Sequence, residues 1–332
     1  MIESLNCKGK QDYCMIDLCK FICALFVVGI HSNAFVNIGL VYNELITQGL
    51  FRLAVPLFYT ISGFLFSMKA DRVGKTALVK QEKNLITVYL TWSVVYFFEA
   101  LFLREITDLK SLAEFVLNTV FRASKYHLWF LLALIYAIPF LYFIRKISVK
   151  LQIVLIAFLW IVQCFAFSYR GTFPEIGKLF YMISQTADAP WNTLFCALPL
   201  LIVGNLVNCF HTNKKVNDNG NICICIISIL LIVEKMVNII VLYSPANSHF
   251  FIFMPMFTFF LVLFFVKSRK EIKHSVFLRK ASLFIYCIHP LIIDILIFNG
   301  FSYGLLLCFA VLIVSIVFFS FYFFGKGRFK CY

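Results

Sequence analysis

The stretch "MIDLCKFICALFVVGIHSNAF", residues 15–35, carries Asp17 and Lys20 at one end of an apolar run and His31 at the other. Lys20 and His31 stand eleven residues apart, three helical turns, so on a helix they share a face with about 16 Å between them. Asp17, Lys20, Ala24, Val27 and His31 make one stripe, and Asp17 can pair with Lys20 at i, i+3. Two basic groups that far apart cannot hold the same atom. They can hold opposite ends of a long molecule, and an imidazole, with its ordinary pKa near neutrality, suits a general base. The competing reading is that each side chain snorkels to its own membrane surface.

Other polar residues sit at similar positions in later apolar runs. Arg52 precedes "AVPLFYTISGF", where Pro56 and Gly63 loosen the run and Ser62 adds a hydroxyl. Glu99 ends the third run and is a candidate partner for Arg52. His127 opens the fourth in "YHLWFLLALIY", where Tyr126 and Trp129 read equally well as aromatics of a membrane interface. Asn192 opens the sixth run. Glu234 and Lys235 fall inside the seventh; neighbours in sequence do not face each other on a helix, so they need separate partners. His289 lies in the ninth, before Pro290, with Asp294 beyond. Ionisable groups in hydrocarbon are costly and face a cavity or one another. Each has a structural role open to it; together they indicate a polar cavity in one half of a helical bundle. Neither the cysteines nor the histidines have metal-ligand spacing, so no metal is expected.

The elements that position these residues follow from composition. Of 332 residues, 62% are hydrophobic and 14% charged, and mean hydropathy is +0.90. A soluble fold needs more polar surface than that. Apolar runs fall near 15–35, 45–68, 85–103, 128–144, 150–168, 192–210, 221–243, 249–266, 282–299 and 302–324. The expected fold is an all-α integral membrane protein, a bundle of about ten transmembrane helices, because only helices satisfy every backbone group along such runs in lipid. With the N-terminus in the cytoplasm, the inner segments hold 21 of the 30 lysines and arginines and the outer ones six, with Lys20, Arg52 and Lys235 inside runs. That alternation predicts both termini in the cytoplasm and accounts for the net charge of +14 without nucleic acid. Residues 1–14 read as a short cytoplasmic segment ahead of a retained first span, and the whole chain, 1–332, as one multi-pass membrane domain. The segments 109–121 and 175–183 have helical spacing and read as short helices on the outer face or as lids. The twelve cysteines read as small buried hydrophobes, with no disulfide framework.

"IDLCKFICALFVVGIH", "AVPLFYTISGFLFS", "YHLWFLLALIY", "LFCALPLLIVGNLV" and "SLFIYCIHP", in this order, resemble the acyltransferase family 3 membrane proteins across nearly the whole chain. The branch they look most like includes the membrane domain of vancomycin-resistance serine racemases. The resemblance implies a multi-span enzyme that moves an acyl group, often acetyl, from cytoplasmic acyl-CoA to a hydroxyl or amine of an extracytoplasmic glycan or lipid-linked sugar. Envelope-polysaccharide assembly proteins are then possible partners. The family's basic residue and presumed catalytic histidine match Lys20 and His31. The branch's Arg-Asn before the sixth span is Trp191-Asn192 here. On this reading His31 is the catalytic base, and Lys20, Arg52, Ser62, Glu99, His127, Trp129, Asn192, Glu234 and His289 contact substrates. An alternative is binding or transport of a small polar solute such as an amino acid, with Arg52 on its carboxylate and Glu99 or Glu234 on its ammonium. An inactive scaffold is a third.

Overall fold

The computed structural model describes residues 13–187, 193–240, 250–268 and 270–325. Among the described residues all regular structure is helical. In chain order the helices are α1 (Cys14–His31), α2 (Leu40–Val73), α3 (Lys75–Phe102), α4 (Leu109–Phe121), α5 (Trp129–Ile144) and α6 (Val149–Phe167). They continue as α7 (Pro174–Ala187), α8 (Thr193–Phe210), α9 (Gly220–Ile240), α10 (Met254–Lys267), α11 (Ser275–Phe298) and α12 (Leu305–Gly325). Eight are long and apolar enough to cross a membrane, and α5 and α10 are shorter apolar helices. The chain is an all-α membrane protein.

α2 and α8 cross at the centre, backbone against backbone. A Cβ on Gly63 would come within 2.2 Å of the Leu201 carbonyl oxygen, and one on Gly204 within 2.1 Å of the Thr60 oxygen. Small residues at a crossing let two helices approach this closely in lipid, where packing rather than water drives association. The loosening expected at Gly63 is thus a contact surface. Residues Leu198–Val207 of α8 are all buried. Around this pair lie α1, packed along α11, then α5, α6 and α10. Single polar bonds lock the layers: Thr60 to Thr258 (3.1 Å) ties α2 to α10, and Asn205 to Gln152 (2.9 Å) ties α8 to α6. The periphery is apolar and exposed, with Leu90, Val94 and Phe98 on α3, Ile222, Ile226 and Ile229 on α9, and Leu306, Phe309 and Ile313 on α12. A band of this size on one molecule marks a lipid-facing surface.

The bundle has two chemically distinct ends. At the Lys20 end, Asp71 of α2 accepts from Arg145, just past α5, and from Asn208 of α8 (2.6 Å), and Arg279 of α11 lies 3.7 Å from Asp17 of α1. At the His31 end, Asn37 donates to the Tyr303 carbonyl (2.8 Å) and Gly304 to the Ser32 carbonyl (2.9 Å), joining the two connections there. α4 connects α3 to α5 at this end. Asp108 caps it by accepting from the Ser111 amide (2.8 Å), and that amide, with the Ser111 hydroxyl, holds the Asp108 carboxyl below its usual value. No residue of α4 is buried, so it lies on the surface; α7 packs Phe180 and Tyr181 on Phe165 and Phe167 of α6. Both short helices foreseen in the sequence are present.

Candidate active site

The site at the His31 end begins with a missing hydrogen bond. Pro290 lies inside α11 and has no N–H, so the Tyr286 carbonyl four residues earlier lacks its helical donor. His289 supplies one: its Nδ1 lies 2.8 Å from the Tyr286 oxygen and 3.2 Å from that of Ile285. A carbonyl only accepts, so Nδ1 carries the proton and Nε2 is left as an acceptor. Nε2 is buried with no hydrogen-bond partner among the described residues.

Two more imidazoles gather on this ring. His31, in the last turn of α1, stacks on His289 with centroids 5.2 Å apart and planes 29° apart. His127, in the turn before α5, meets His289 edge-on at 5.2 Å, and neither of its ring nitrogens has a partner among the described residues. Tyrosines enclose the three. Tyr126 packs on His31 at 4.9 Å, Tyr96 and Tyr286 flank His127 at 5.2 and 5.4 Å, and the Tyr286 hydroxyl donates to the His127 carbonyl. Buried polar groups are normally paired, so this concentration of unpaired imidazole nitrogens marks a place built for something other than stability. Among the described residues no three His, Cys, Asp or Glu side chains are arranged as metal ligands.

Lys125 anchors the segment that delivers Tyr126 and His127. Its ammonium lies 2.7 Å from Glu99 of α3 and 2.8 Å from Asp294 of α11, and 5.5 Å from the Tyr96 ring centroid. Burial alone would lower the Lys125 pKa, but the two carboxylates outweigh it and raise it. Ser124 adds a hydrogen bond to Ser93 (2.8 Å). Glu99 therefore does not pair with Arg52, as the sequence suggested. Arg52 instead holds Gln48, one turn earlier on its own helix, through Nε (3.1 Å) and Nη2 (2.7 Å).

At the opposite end lies a cavity of about 600 Å³ lined by Lys20, Lys69, Arg72 and Arg279, with Asp17, Tyr13 and Ser62 among its other walls. Among the described residues its lining holds four cations and one carboxylate, a balance that suits a polyanion. His31 is not in its lining. The continuous passage that the α1 stripe suggested is closed, because Ala24 and Val27 between Lys20 and His31 are buried in the core.

The remaining sequence candidates fall elsewhere. Ser62 belongs to the Lys20 cavity rather than to the histidines. Glu234 accepts from the Tyr169 hydroxyl and from the amides of Ile252 (2.6 Å) and Phe253 (3.4 Å), and so caps the segment entering α10, away from the histidines. Its neighbour Lys235 finds Glu44 (3.4 Å), the separate partner that helix geometry required. Trp129 packs 6.2 Å from Tyr59, towards the core rather than at an interface. Asn192 and Trp191 lie outside the described residues. Sequence reasoning counted Lys125 only as a loop charge and Tyr126 as an interface aromatic; the "KYH" triplet before an apolar run was the available signal.

A polytopic helical bundle with a basic cavity at one end and clustered imidazoles at the other is the architecture on which the comparisons bear. Residues 15–325 match the family described as an acyltransferase domain, acyltransferase family 3. The chain belongs to that family. It is 27% identical over 211 residues to an amino-acid racemase of Enterococcus faecalis, covering 60% of this chain and 28% of the relative. A second amino-acid racemase of Enterococcus faecalis is 26% identical over 294 residues, 84% of this chain and 41% of the relative. A serine/alanine racemase of Enterococcus gallinarum is 24% identical over 284 residues, 83% and 40% respectively. The chain thus spans less than half the length of these curated relatives. No solved structure matches.

Proposed function

We propose that this protein transfers an acyl group, in the first instance acetyl, from acyl-CoA at the Lys20 end to a hydroxyl or amine of a glycan or lipid-linked sugar at the His31 end. The observation that carries the reading is that α1 and α11 both run from the polycationic cavity, where they place Lys20 and Arg279, to the imidazole cluster, where they place His31 and His289. The positive-inside bias puts the Lys20 end in the cytoplasm of a bacterial cell, where acyl-CoA is made. Lys20, Lys69, Arg72 and Arg279 meet the donor's phosphates, and its pantetheine arm runs along the Ala24–Val27 seam, which opens to admit it.

His31 takes the proton from the acceptor as its oxygen or nitrogen attacks the thioester carbonyl. The tetrahedral oxyanion is met by a protonated nitrogen of His127, or by Arg52. Collapse breaks the C–S bond, and the proton on His31 passes to the departing sulfur, giving free CoA and acylated acceptor. His289 has its Nδ1 proton committed to backbone carbonyls, so it acts by holding the His31 ring. No acyl-enzyme is needed, because the thioester is already activated.

The protein in liposomes, given labelled acetyl-CoA on one side and acceptor glycan on the other, is expected to label the glycan only when both are present. Absence of labelling with folded protein and a competent acceptor contradicts the reading. A second reading, binding or transport of an amino acid, is favoured by the names of the relatives, all amino-acid racemases. Uptake of labelled serine into liposomes without any acyl donor is its test.

A further inference from the structure

A second cavity, walled by α6, α8 and α10, shares no residue with the Lys20 cavity or the imidazole cluster. It is a groove of about 430 Å³ in which every wall residue is apolar. α6 and α10 each pack on α8 and leave the groove between them, with buried Val203 and Leu206 of α8 as its floor. Ala157 stands in the α6 wall, where a larger side chain would fill the space. Ile153, Ile161 and Met256 at the rim are exposed, so the groove opens to the lipid-facing periphery.

Two bonds fix its depth. Phe210, in its wall, ends α8 just beyond Asn208, which bonds Asp71 at the Lys20 end; Ile153 lies one turn into α6, after Arg145, which pairs with the same Asp71. The groove therefore begins at the Lys20 end. It runs to Ile161 and Ile252, where the Trp160 indole N–H donates to the Phe251 carbonyl (2.8 Å) and ties α6 to the segment entering α10. From Ile153 to Ile161 is about 12 Å of helix, and half of a bilayer's hydrocarbon core is about 15 Å. The groove thus has the reach of one hydrocarbon chain in the leaflet at the Lys20 end. Its mouth is basic. Lys150 precedes Ile153 by three residues and Ala157 by seven, and so shares their face of α6. Lys267 shares the face of Phe260 on α10 in the same way, and Lys214 follows Phe210 by four residues. All three lysines are exposed. An apolar cleft at this depth fills with hydrocarbon, and cations at the level of the headgroups select negative charge.

We infer that the groove between α6 and α10 binds one anionic phospholipid of the leaflet at the Lys20 end. An acyl chain lies along Ile153, Ala157 and Trp160, and the headgroup phosphate meets Lys150, Lys267 and Lys214. The chain takes the place of a side chain between α6 and α10, so the lipid stabilises the bundle by binding the folded protein alone. Binding here is independent of acyl transfer.

The test uses Trp160 as a fluorophore inside the groove. The full-length protein with Trp92, Trp129 and Trp191 changed to Phe keeps Trp160 as its single tryptophan. In detergent it is titrated with phosphatidylglycerol brominated midway along one chain, and with phosphatidylcholine carrying the same chain. The expected result is saturable quenching by one phosphatidylglycerol per protein, with an affinity about tenfold or more above that for phosphatidylcholine. A lysine at the headgroup level contributes about fivefold to binding of an anionic lipid, so Lys150→Gln and Lys267→Gln should each cut the preference about three- to fivefold. Ala157→Phe fills the groove and spares the lysines, and should abolish saturable quenching by both lipids; Ala157→Leu, a smaller filling, replaces it if the Phe variant fails to fold. Quenching that never saturates and is equal for the two lipids is ordinary solvation by lipid and overturns the proposal. Saturable binding without headgroup preference overturns it too, as does saturable quenching that survives the filled groove in folded protein.

Discussion

Lys125→Met removes the cation that lies between Glu99 and Asp294. The Glu99 side chain is 6% exposed and that of Asp294 30% exposed, so the variant leaves two facing carboxylates with little water to separate them. Removing one partner of a fully buried ion pair costs about 3–5 kcal/mol; water at Asp294, and protonation of one carboxyl, reduce the expected loss here to about 2–3 kcal/mol. The assay is unfolding in mixed micelles titrated with a denaturing detergent, for Lys125→Met, Glu99→Gln and the double variant. The double variant should lose less than the sum of the singles, with a coupling of about 1–3 kcal/mol. A pH series adds a signed test. Lys125 has a raised folded pKa, so its contribution is fully present below the ordinary lysine value of about 10.4 and is lost as pH rises through the higher folded value. The stability gap between wild type and Lys125→Met should therefore not close between pH 7 and about 9.5, and should close only in strong alkali. Additive singles, or a gap that closes near neutral pH, would refute the ion-triad account of how Tyr126 and His127 are held against His31.

Other variants probe the remaining parts. Lys20→Met or Arg279→Gln should each raise the KM for acyl-CoA about tenfold, with little change in kcat, as expected for loss of a charge-assisted contact to phosphate. Ala24→Phe should nearly abolish transfer while binding of the adenosine 3′,5′-bisphosphate end of the donor, measured by competition, stays within about threefold of wild type, because it fills the seam and not the cavity. Gly204→Ala should destabilise the bundle by about 1–3 kcal/mol in detergent titration, since its Cβ would press on the Thr60 carbonyl.

The helices were legible because membrane spans have a strong one-dimensional signal, and the two short surface helices because apolar residues at helical spacing show through a polar segment. The Lys20–His31 stripe on α1 was legible because one helix has one geometry. What failed was pairing across helices. Glu99 and Arg52 looked like partners because each sits near a mouth of its run, but depth along a helix does not fix rotation about it, and Lys125 from a connection reached Glu99 first. Glu234 looked like a substrate ligand because the amides it caps belong to the start of another helix, Ile252 and Phe253. The closure between Lys20 and His31 is likewise a packing result: Ala24 and Val27 share the stripe with both, and only the neighbours that bury them decide that the stripe is not a tunnel. The bond from His289 Nδ1 to the Tyr286 carbonyl could have been read from the sequence, since Pro290 frees the carbonyl four residues earlier and a preceding histidine can reach it.

The most direct measurement is the rate of acetyl transfer by His31→Ala in liposomes, with folded protein matched to wild type and acetyl-CoA and acceptor saturating. The account predicts a fall of about 10²–10⁴-fold, the range for loss of a general base, with acetyl-CoA binding unchanged. Transfer at the wild-type rate would contradict it.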